Sequence, residues 1–125
     1  MKPVLVDTSV WVDHFRRHNA ALAELLALDL VLCHPLVMGE LACGTPPSRS
    51  RTLADLSRLP SAQQASLQEV LAFLEREQLF GQGCGYVDIA LLASTRLTPG
   101  AELWTLDRRL AALAQRAGVL HRPAP

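Results

Sequence analysis

The sequence predicts an α/β fold in which helices cover both faces of a central parallel sheet. Short apolar runs at residues 4–6, 30–33 and 103–106 alternate with longer segments whose apolar residues recur at helical spacing. Runs that are apolar at every position are typical of parallel strands buried on both faces. The alternation also fits a parallel sheet, because each parallel strand needs a crossover that returns the chain to the edge where strands begin.

The first half of the chain predicts two strands and three helices. The strand at 4–6 leads into a short helix at 8–17, and Asn19 is suited to cap a second helix. The strand at 30–33 comes next, and Pro35 favours the first turn of a third helix. This order gives the strand–helix–strand unit that a parallel sheet requires.

The second half predicts a helical excursion from the sheet and then the remaining strands. Leucines at helical spacing indicate two helices between residues 48 and 80, arranged like a hairpin, with Ser61 as the cap of the second. The later elements are, in order, a helix at 86–97, a strand at 103–106, a helix that Asp107 caps and Gly118 ends, and a short strand at 119–121.

Composition and charge limit the classes of protein that fit. A chain of 125 residues suits one domain, which we expect to span residues 1–125. No apolar run approaches the roughly 20 residues that cross a bilayer, and the N-terminus lacks a signal-peptide pattern, so a cytoplasmic protein is expected. Lys plus Arg number 12, and so do Asp plus Glu, so the formal net charge is zero. This balance argues against a protein that binds nucleic acid through a large overall positive charge, but it permits binding of RNA at a local site. We expect Cys33, Cys43 and Cys84 to be small buried hydrophobes.

Two aspartates directly follow predicted strands. Asp7 comes after the strand at 4–6, and Asp107 comes after the strand at 103–106. The carboxyl ends of parallel strands form the edge of a sheet where ligands gather, so both side chains are candidates for a functional site. Aspartate is also a good helix N-cap, and capping alone is the alternative interpretation of each residue.

Two further acids lie in apolar helical segments. Glu40 stands in PLVMGELACG and Asp88 stands in GYVDIALLAS, and each has apolar residues three and four positions away on its face. A carboxylate that faces a core has to be paired, metal-bound or protonated, because burying it alone costs several kcal/mol. The alternative is that either acid reaches solvent at the edge of its helix, or that Asp88 stabilises a first turn.

Four acids without a matching supply of lysines indicate a cation site if they converge. Their mutual repulsion then requires a positive charge, and carboxylate oxygens with room for water suit Mg²⁺ or Mn²⁺ rather than zinc. Such an ion can orient water and stabilise negative charge on a phosphate that is being transferred. The pattern therefore indicates metal-dependent phosphodiester hydrolysis.

The acids stand in four motifs that resemble those of PIN-domain nucleases, and in particular of the VapC-like toxins of bacterial toxin–antitoxin pairs. The motifs are VDTSVWVDHFR, MGELACG, GYVDIALLASTR and LWTLDRRL, and together they extend over nearly the whole chain. The resemblance implies a three-layer α/β/α sandwich with a central parallel sheet, and an endoribonuclease that uses Mg²⁺ or Mn²⁺. It also implies a homodimer and a cognate antitoxin that inserts a peptide into the acidic groove.

The resemblance assigns catalytic roles to the four acids. Asp7 and Asp88 match the first and third acids, which are most directly expected on the metal. Glu40 matches the second acid and Asp107 the fourth, and these are expected to complete the metal shell or to orient water. The ion is therefore expected on Asp7, Asp88 and Asp107.

Further residues are candidates for the surroundings of the site. Ser9 and Thr105 match the small hydroxyl positions beside the first and last acids, where the resemblance implies hydrogen bonds to an acid or to water. A cap hydroxyl and an ordinary strand residue are the alternatives. Four arginines follow motif acids and are candidates for contacting RNA phosphates, with a solvated helix face as the alternative; they are Arg16, Arg17, Arg108 and Arg109.

Other classes of protein fit less well or stay open. A haloacid dehalogenase-type phosphohydrolase needs a second Asp where this chain has Ser9, and both that class and a receiver domain need a later lysine, whereas the only lysine is Lys2. A catalytically silent binding or regulatory module and a DNA-directed nuclease stay open. The four histidines lack ligand spacing and are expected at the surface or an interface; they are His14, His18, His34 and His121.

Overall fold

The structure is a computed structural model that describes residues 1–124, and these residues form three strands and seven helices. The strands are β1 (Val4–Val6), β2 (Val31–Leu32) and β3 (Glu102–Trp104), and the helices are α1 (Thr8–Arg17), α2 (Ala20–Ala27), α3 (Pro35–Ala42), α4 (Arg49–Ser57), α5 (Leu67–Arg76), α6 (Tyr86–Leu97) and α7 (Arg108–Arg116). The helices predicted at 8–17 and 86–97 are confirmed with their boundaries.

Strand β1 is the centre of a parallel sheet with the order β2-β1-β3. Val4 pairs with Val31 in β2 and with Glu102 in β3, and Val6 pairs with Trp104. All three residues of β1 are buried, so both faces of the sheet are covered and the predicted α/β/α layering is confirmed. Because the strands run parallel, all three end at the same edge of the sheet.

The strand predicted at 119–121 is reduced to a single bridge between Leu103 and Leu120. Leu103 N–H donates to Val119 O at 2.7 Å, and His121 N–H donates to Leu103 O at 2.9 Å. Pro123 follows two residues later and has no N–H to extend the pairing, which accounts for the brevity of this contact.

The segment between residues 48 and 80 is not a hairpin. Helix α4 packs against α3, and α5 packs against α6, so the two helices join different neighbours. Between them the chain returns to the sheet, where Ser61 forms a parallel bridge with Cys33 beyond the end of β2. Ser61 is therefore not a helix cap. Helix α5 is capped by Ser66 instead, whose side chain accepts Glu69 N–H at 3.1 Å while the Glu69 carboxylate accepts Ser66 N–H at 2.8 Å.

The core is one continuous cluster built on the sheet. Its fully buried leucines include Leu5 in β1, Leu103 in β3 and Leu91 in α6. The prediction for the cysteines holds only for Cys33, since Cys43 is exposed and Cys84 is half-buried. No helix in the described part of the chain is long and apolar enough to cross a membrane.

Candidate active site

The sheet places Asp7 and Thr105 side by side at its carboxyl edge. Asp7 directly follows β1, Thr105 directly follows β3, and these strands are neighbours in which Val6 pairs with Trp104. The backbone continues this pairing by one residue, because Asp7 N–H donates to Trp104 O at 2.9 Å. The two side chains therefore start from adjacent, fixed positions.

The buried Asp7 carboxylate is held by two hydroxyl groups. Ser9 Oγ donates to Asp7 Oδ2 at 2.7 Å, and Thr105 Oγ1 donates to the same oxygen at 2.8 Å. Asp7 stands at the N-cap position of α1, but its side chain accepts no capping hydrogen bond there. Capping therefore does not explain this aspartate, whose carboxylate is 6% exposed.

The same hydroxyls tie Asp7 to the start of α7. Leu106 N–H donates to Ser9 Oγ at 3.0 Å, and Asp107 N–H donates to Thr105 Oγ1 at 3.0 Å. Each hydroxyl thus donates to the carboxylate and accepts from the backbone. Its hydrogen and one of its two lone pairs are therefore committed to partners in fixed directions. This network fixes the orientation of the Asp7 side chain.

Asp107 is exposed and caps helix α7. Its Oδ1 accepts Arg109 N–H at 2.9 Å and Leu110 N–H at 3.0 Å. The capping interpretation is correct for this residue, although it accounts for only one of the two carboxylate oxygens. Arg108 is exposed beside it, and within residues 1–124 its side chain makes no hydrogen bond or ion pair.

Glu40 lies in the last turn of α3 and is exposed, so it is not on the buried face that its apolar surroundings predicted. Val37 and Leu41 form that face, and Glu40 stands at its edge. Its Oε1 accepts Thr8 Oγ1 at 2.6 Å, which links it to the residue after Asp7. Glu40 and Thr8 also line a surface cavity of about 360 Å³.

Asp88 is half-buried in the first turn of α6 and has the most perturbed carboxyl group of the site. Burial raises its pKa above the ordinary value, and the negative charges of Asp7, Asp107 and Glu40 raise the pKa further. A hydrogen bond from Gly85 N–H to its Oδ2, at 3.3 Å, partly offsets these effects. Asp7, Asp107 and Glu40 therefore each lie close enough to Asp88 to act on its carboxyl group.

The donor set has the chemistry of a magnesium or manganese site, although the side chains are not drawn together around one point. Within residues 1–124, no three His, Cys, Asp or Glu side chains approach closely enough to hold one ion together. Hydrogen bonds occupy Asp7 Oδ2, Asp88 Oδ2 and Asp107 Oδ1, and in the described part of the chain none reaches the other oxygen of these carboxylates. Free carboxylate oxygens beside like charges fit a hard divalent cation.

Sequence reasoning named Arg109 as a candidate for contacting RNA phosphates, but it did not place Arg109 or Cys84 beside particular acids of the site. Burial raises the pKa of the Cys84 thiol to about 11, with further increases from Asp88 and Asp107, while Arg109 lowers it. Both residues therefore lie beside the third and fourth acids. The glycine-rich loop before α6 was the only signal in the sequence that this segment lies close to α7.

The expectation that His34 lies at the surface is wrong. It is buried at the N-cap of α3, where its Nδ1 accepts Leu36 N–H at 3.0 Å and its Nε2 lies 3.1 Å from Ser94 Oγ. Burial lowers its pKa. Because Pro35 was already placed in the first turn of this helix, the sequence did indicate that residue 34 would be the cap.

Comparisons with known proteins agree with this fold. A family model described as the PIN domain matches residues 4–119. The chain is 46% identical over 116 residues to ribonuclease VapC32 of Mycobacterium tuberculosis, in both the CDC 1551 and the H37Rv strains, with coverage of 93% of this chain and 94% of the relative. The chain therefore belongs to the PIN-domain family, in its VapC-type branch of ribonucleases. The family predicted from the four motifs is confirmed.

Proposed function

We propose that this protein is an endoribonuclease that depends on a divalent cation and acts as the toxin of a toxin–antitoxin pair. The identity to a protein named a ribonuclease supports RNA as the substrate. The observation that carries the chemistry is the repulsion that Asp7, Asp107 and Glu40 exert on Asp88. Three carboxylates that act on a fourth near the carboxyl edge of a parallel sheet favour a cation that balances their charge.

Asp7, Asp88 and Asp107 are the residues that would hold Mg²⁺ or Mn²⁺. Each has one oxygen occupied by a hydrogen bond and one oxygen free for coordination. The ion, when bound, stabilises the negative charge that develops on the phosphate during hydrolysis. Ser9 and Thr105 support this arrangement, because their hydroxyls both donate to Oδ2 of Asp7. These two hydrogen bonds fix the orientation of the carboxylate, and they leave its other oxygen, Oδ1, free for the ion.

Glu40 is suited to orient the attacking water. Its carboxylate is exposed at the rim of the site, and Thr8 holds one of its oxygens at 2.6 Å. We propose that Glu40 accepts a proton while the water oxygen attacks phosphorus in line. The bond from phosphorus to the 3′ oxygen breaks, the 3′ oxygen takes a proton from solvent, and the products carry a 5′-phosphate and a 3′-hydroxyl.

The test is RNA cleavage by the purified protein, with Asp7→Asn as the main variant. Asn retains an oxygen for the Ser9 and Thr105 hydroxyls but removes the charge, so we expect folding to persist and Mg²⁺-dependent cleavage to be lost. Asp55→Asn is the matched control, because Asp55 is exposed on α4, pairs with Arg58 and is not among the acids that act on Asp88. An Asp7→Asn protein that cuts RNA at the parent rate contradicts the proposal.

The same assay separates the other functions that fit the fold. Cleavage of single-stranded DNA but not RNA of equal sequence indicates a DNA-directed nuclease, and no cleavage of either by folded, Mg²⁺-supplied protein indicates a silent binding module. Mapping of the new RNA 5′ ends after induced expression then identifies the target. An RNA substrate also implies action in the cytoplasm.

We further propose two protein partners, a cognate antitoxin and a second copy of this chain. Leu67 and Leu71 of α5 are 52% and 47% exposed and are suited to a subunit contact. Light scattering on the purified protein tests the dimer, and Leu71→Glu is expected to give monomers. Neutralisation of toxicity by co-expression of the adjacent small gene tests the antitoxin.

A further inference from the structure

We infer that Arg109, seated against Gly83, binds an RNA phosphate next to the acid cluster. This inference rests on the proposed function, because it names a residue that binds the substrate of that same site. The sequence left Arg108 and Arg109 as equal candidates for phosphate contact, and the structure favours Arg109.

Arg109 occupies space that only a glycine at position 83 leaves open. A Cβ added to Gly83 would lie 2.7 Å from Cδ of Arg109 and 3.1 Å from its Nε and Nη1. Real Cβ atoms do not approach other atoms as closely as 2.7 Å, so the arginine side chain lies directly against the loop backbone. The exposed Arg109 side chain therefore lies in contact with the loop that leads into Asp88.

The charge of Arg109 acts on the same thiol as two acids of the site. It lowers the pKa of Cys84, the thiol whose pKa Asp88 and Asp107 raise, so all three charges act on the same half-buried group. Within residues 1–124, Arg109 forms no ion pair and its side chain donates no hydrogen bond. Its five donors are consequently available to an anion from outside the chain.

A phosphate is the anion that this position fits. A cluster of carboxylates repels the phosphates of RNA, and a cation at its edge offsets that repulsion where the strand must approach. A guanidinium bonds two phosphate oxygens at once, and a planar group fixed by its stem loses little freedom on binding. Arg108 is turned about 100° from Arg109 around α7, and no glycine position in the described chain meets its side chain within 4 Å.

The first experiment measures binding of a fluorescent single-stranded RNA oligonucleotide to Asp7→Asn protein, with Mg²⁺ present, over a range of salt concentrations. Adding Arg109→Gln is expected to weaken binding about tenfold at low salt. It should also reduce the slope of log affinity against log salt by about 0.7, the value for one phosphate contact on a single strand. Arg116→Gln removes the same charge at the far end of α7 and is expected to change neither quantity.

A pair of glycine variants tests the contact between Arg109 and Gly83. Gly81 and Gly83 both have positive φ, at +72° and +83°, but a Cβ on Gly81 meets nothing within 4 Å. Alanine therefore strains the backbone at both positions, whereas only Gly83→Ala displaces Arg109. We expect Gly83→Ala to weaken RNA binding as Arg109→Gln does and Gly81→Ala to leave it unchanged. Combining Gly83→Ala with Arg109→Gln should give no further loss.

The outcomes separate this inference from the proposed function. If Arg109→Gln keeps the parent slope, or if Arg108→Gln alone shows the loss, Arg109 is not the phosphate-binding residue although the protein still binds RNA. If the Asp7→Asn protein binds no RNA at low salt and the unmodified protein cuts none, the proposed function itself fails. Equal loss of RNA binding in Gly81→Ala and Gly83→Ala assigns the effect to backbone strain and contradicts the claim that packing against Gly83 positions Arg109.

Discussion

Replacing Thr105 by valine tests whether the hydroxyl network positions the Asp7 carboxylate. Thr105 Oγ1 donates to Asp7 Oδ2 at 2.8 Å and accepts Asp107 N–H at 3.0 Å. Valine has nearly the same shape, so the substitution removes these two hydrogen bonds without opening a cavity. The Asp7 carboxylate then retains only the hydrogen bond from Ser9 and is free to turn.

The expected loss of stability follows from the hydrogen bond to a buried charge. Such a bond contributes about 1.5–3 kcal/mol, and Asp107 N–H lies close enough to solvent to be hydrated in the variant. We therefore expect the free energy of unfolding to fall by about 2 kcal/mol, which lowers Tm by roughly 8 °C in a domain of this size. A residue that orients a metal-binding carboxylate typically contributes 10- to 100-fold to metal affinity or activity, and we expect a loss of kcat/KM in that range.

Thr95→Val is the matched control for this experiment. Thr95 is also buried, and its hydroxyl donates to Leu91 O at 2.8 Å within α6, so the variant loses a neutral hydrogen bond of about 1 kcal/mol. Its cleavage activity is expected to be unchanged. Thermal unfolding, Mg²⁺ titration and cleavage kinetics are measured on all three proteins. Parent values of kcat/KM and Tm in Thr105→Val would refute the view that this hydroxyl holds Asp7.

Three further predictions concern titratable groups near the site. Burial lowers the pKa of His34 below the value of about 6.5 in an unfolded chain, so the unfolded state takes up the proton first and stability falls as the pH drops below 6.5. Urea unfolding at several pH values is expected to show this slope, and His34→Asn, which keeps a capping oxygen, to reduce it. The raised pKa of Asp88 means that its charge destabilises the metal-free fold at neutral pH, so Asp88→Asn should raise metal-free Tm and abolish stabilisation by Mg²⁺. At 100 times its Kd the ion should stabilise the unmodified protein by about 2.7 kcal/mol, and absence of any Mg²⁺ effect contradicts the metal site. A pKa of about 11 leaves roughly one Cys84 thiol in a thousand ionised at pH 8, so mass spectrometry should find it alkylated far more slowly than the exposed Cys43.

The parts of the fold that sequence predicted are those that local signals determine. An apolar run of three residues predicted β1. Apolar residues at helical spacing, together with residues that start or stop a helix, predicted α1 and α6 with their boundaries. The position of Asp7 directly after β1 followed from the same signals, whereas β3 ends at Trp104 rather than at residue 106 and leaves Asp107 three residues beyond it, at the N-cap of α7. Such features depend on residues close together in the chain, which is why one sequence suffices for them.

The features that sequence missed depend on contacts between distant segments. Ser61 has the composition of a helix cap, but pairing with Cys33 at the end of β2 keeps its segment extended. Glu40 has apolar neighbours in the chain, yet Val37 and Leu41 turn inward and leave it exposed. The choice between Arg108 and Arg109 depends on Gly83, twenty-six positions from Arg109 in the chain (109 − 83), which no helical periodicity can reveal.

Helix capping and metal binding were alternative interpretations of Asp88 and Asp107. The two roles are compatible, because a carboxylate has two oxygens. Asp107 uses Oδ1 to cap α7, and Asp88 uses Oδ2 to accept Gly85 N–H in the first turn of α6. Each bond fixes the plane of its carboxylate and thereby directs the second oxygen, so the contact with the fold positions the group for an ion. Asparagine preserves the first oxygen and removes the charge of the second. Asp→Asn variants at these positions should therefore separate folding from function more cleanly than Asp→Ala variants, which lose both.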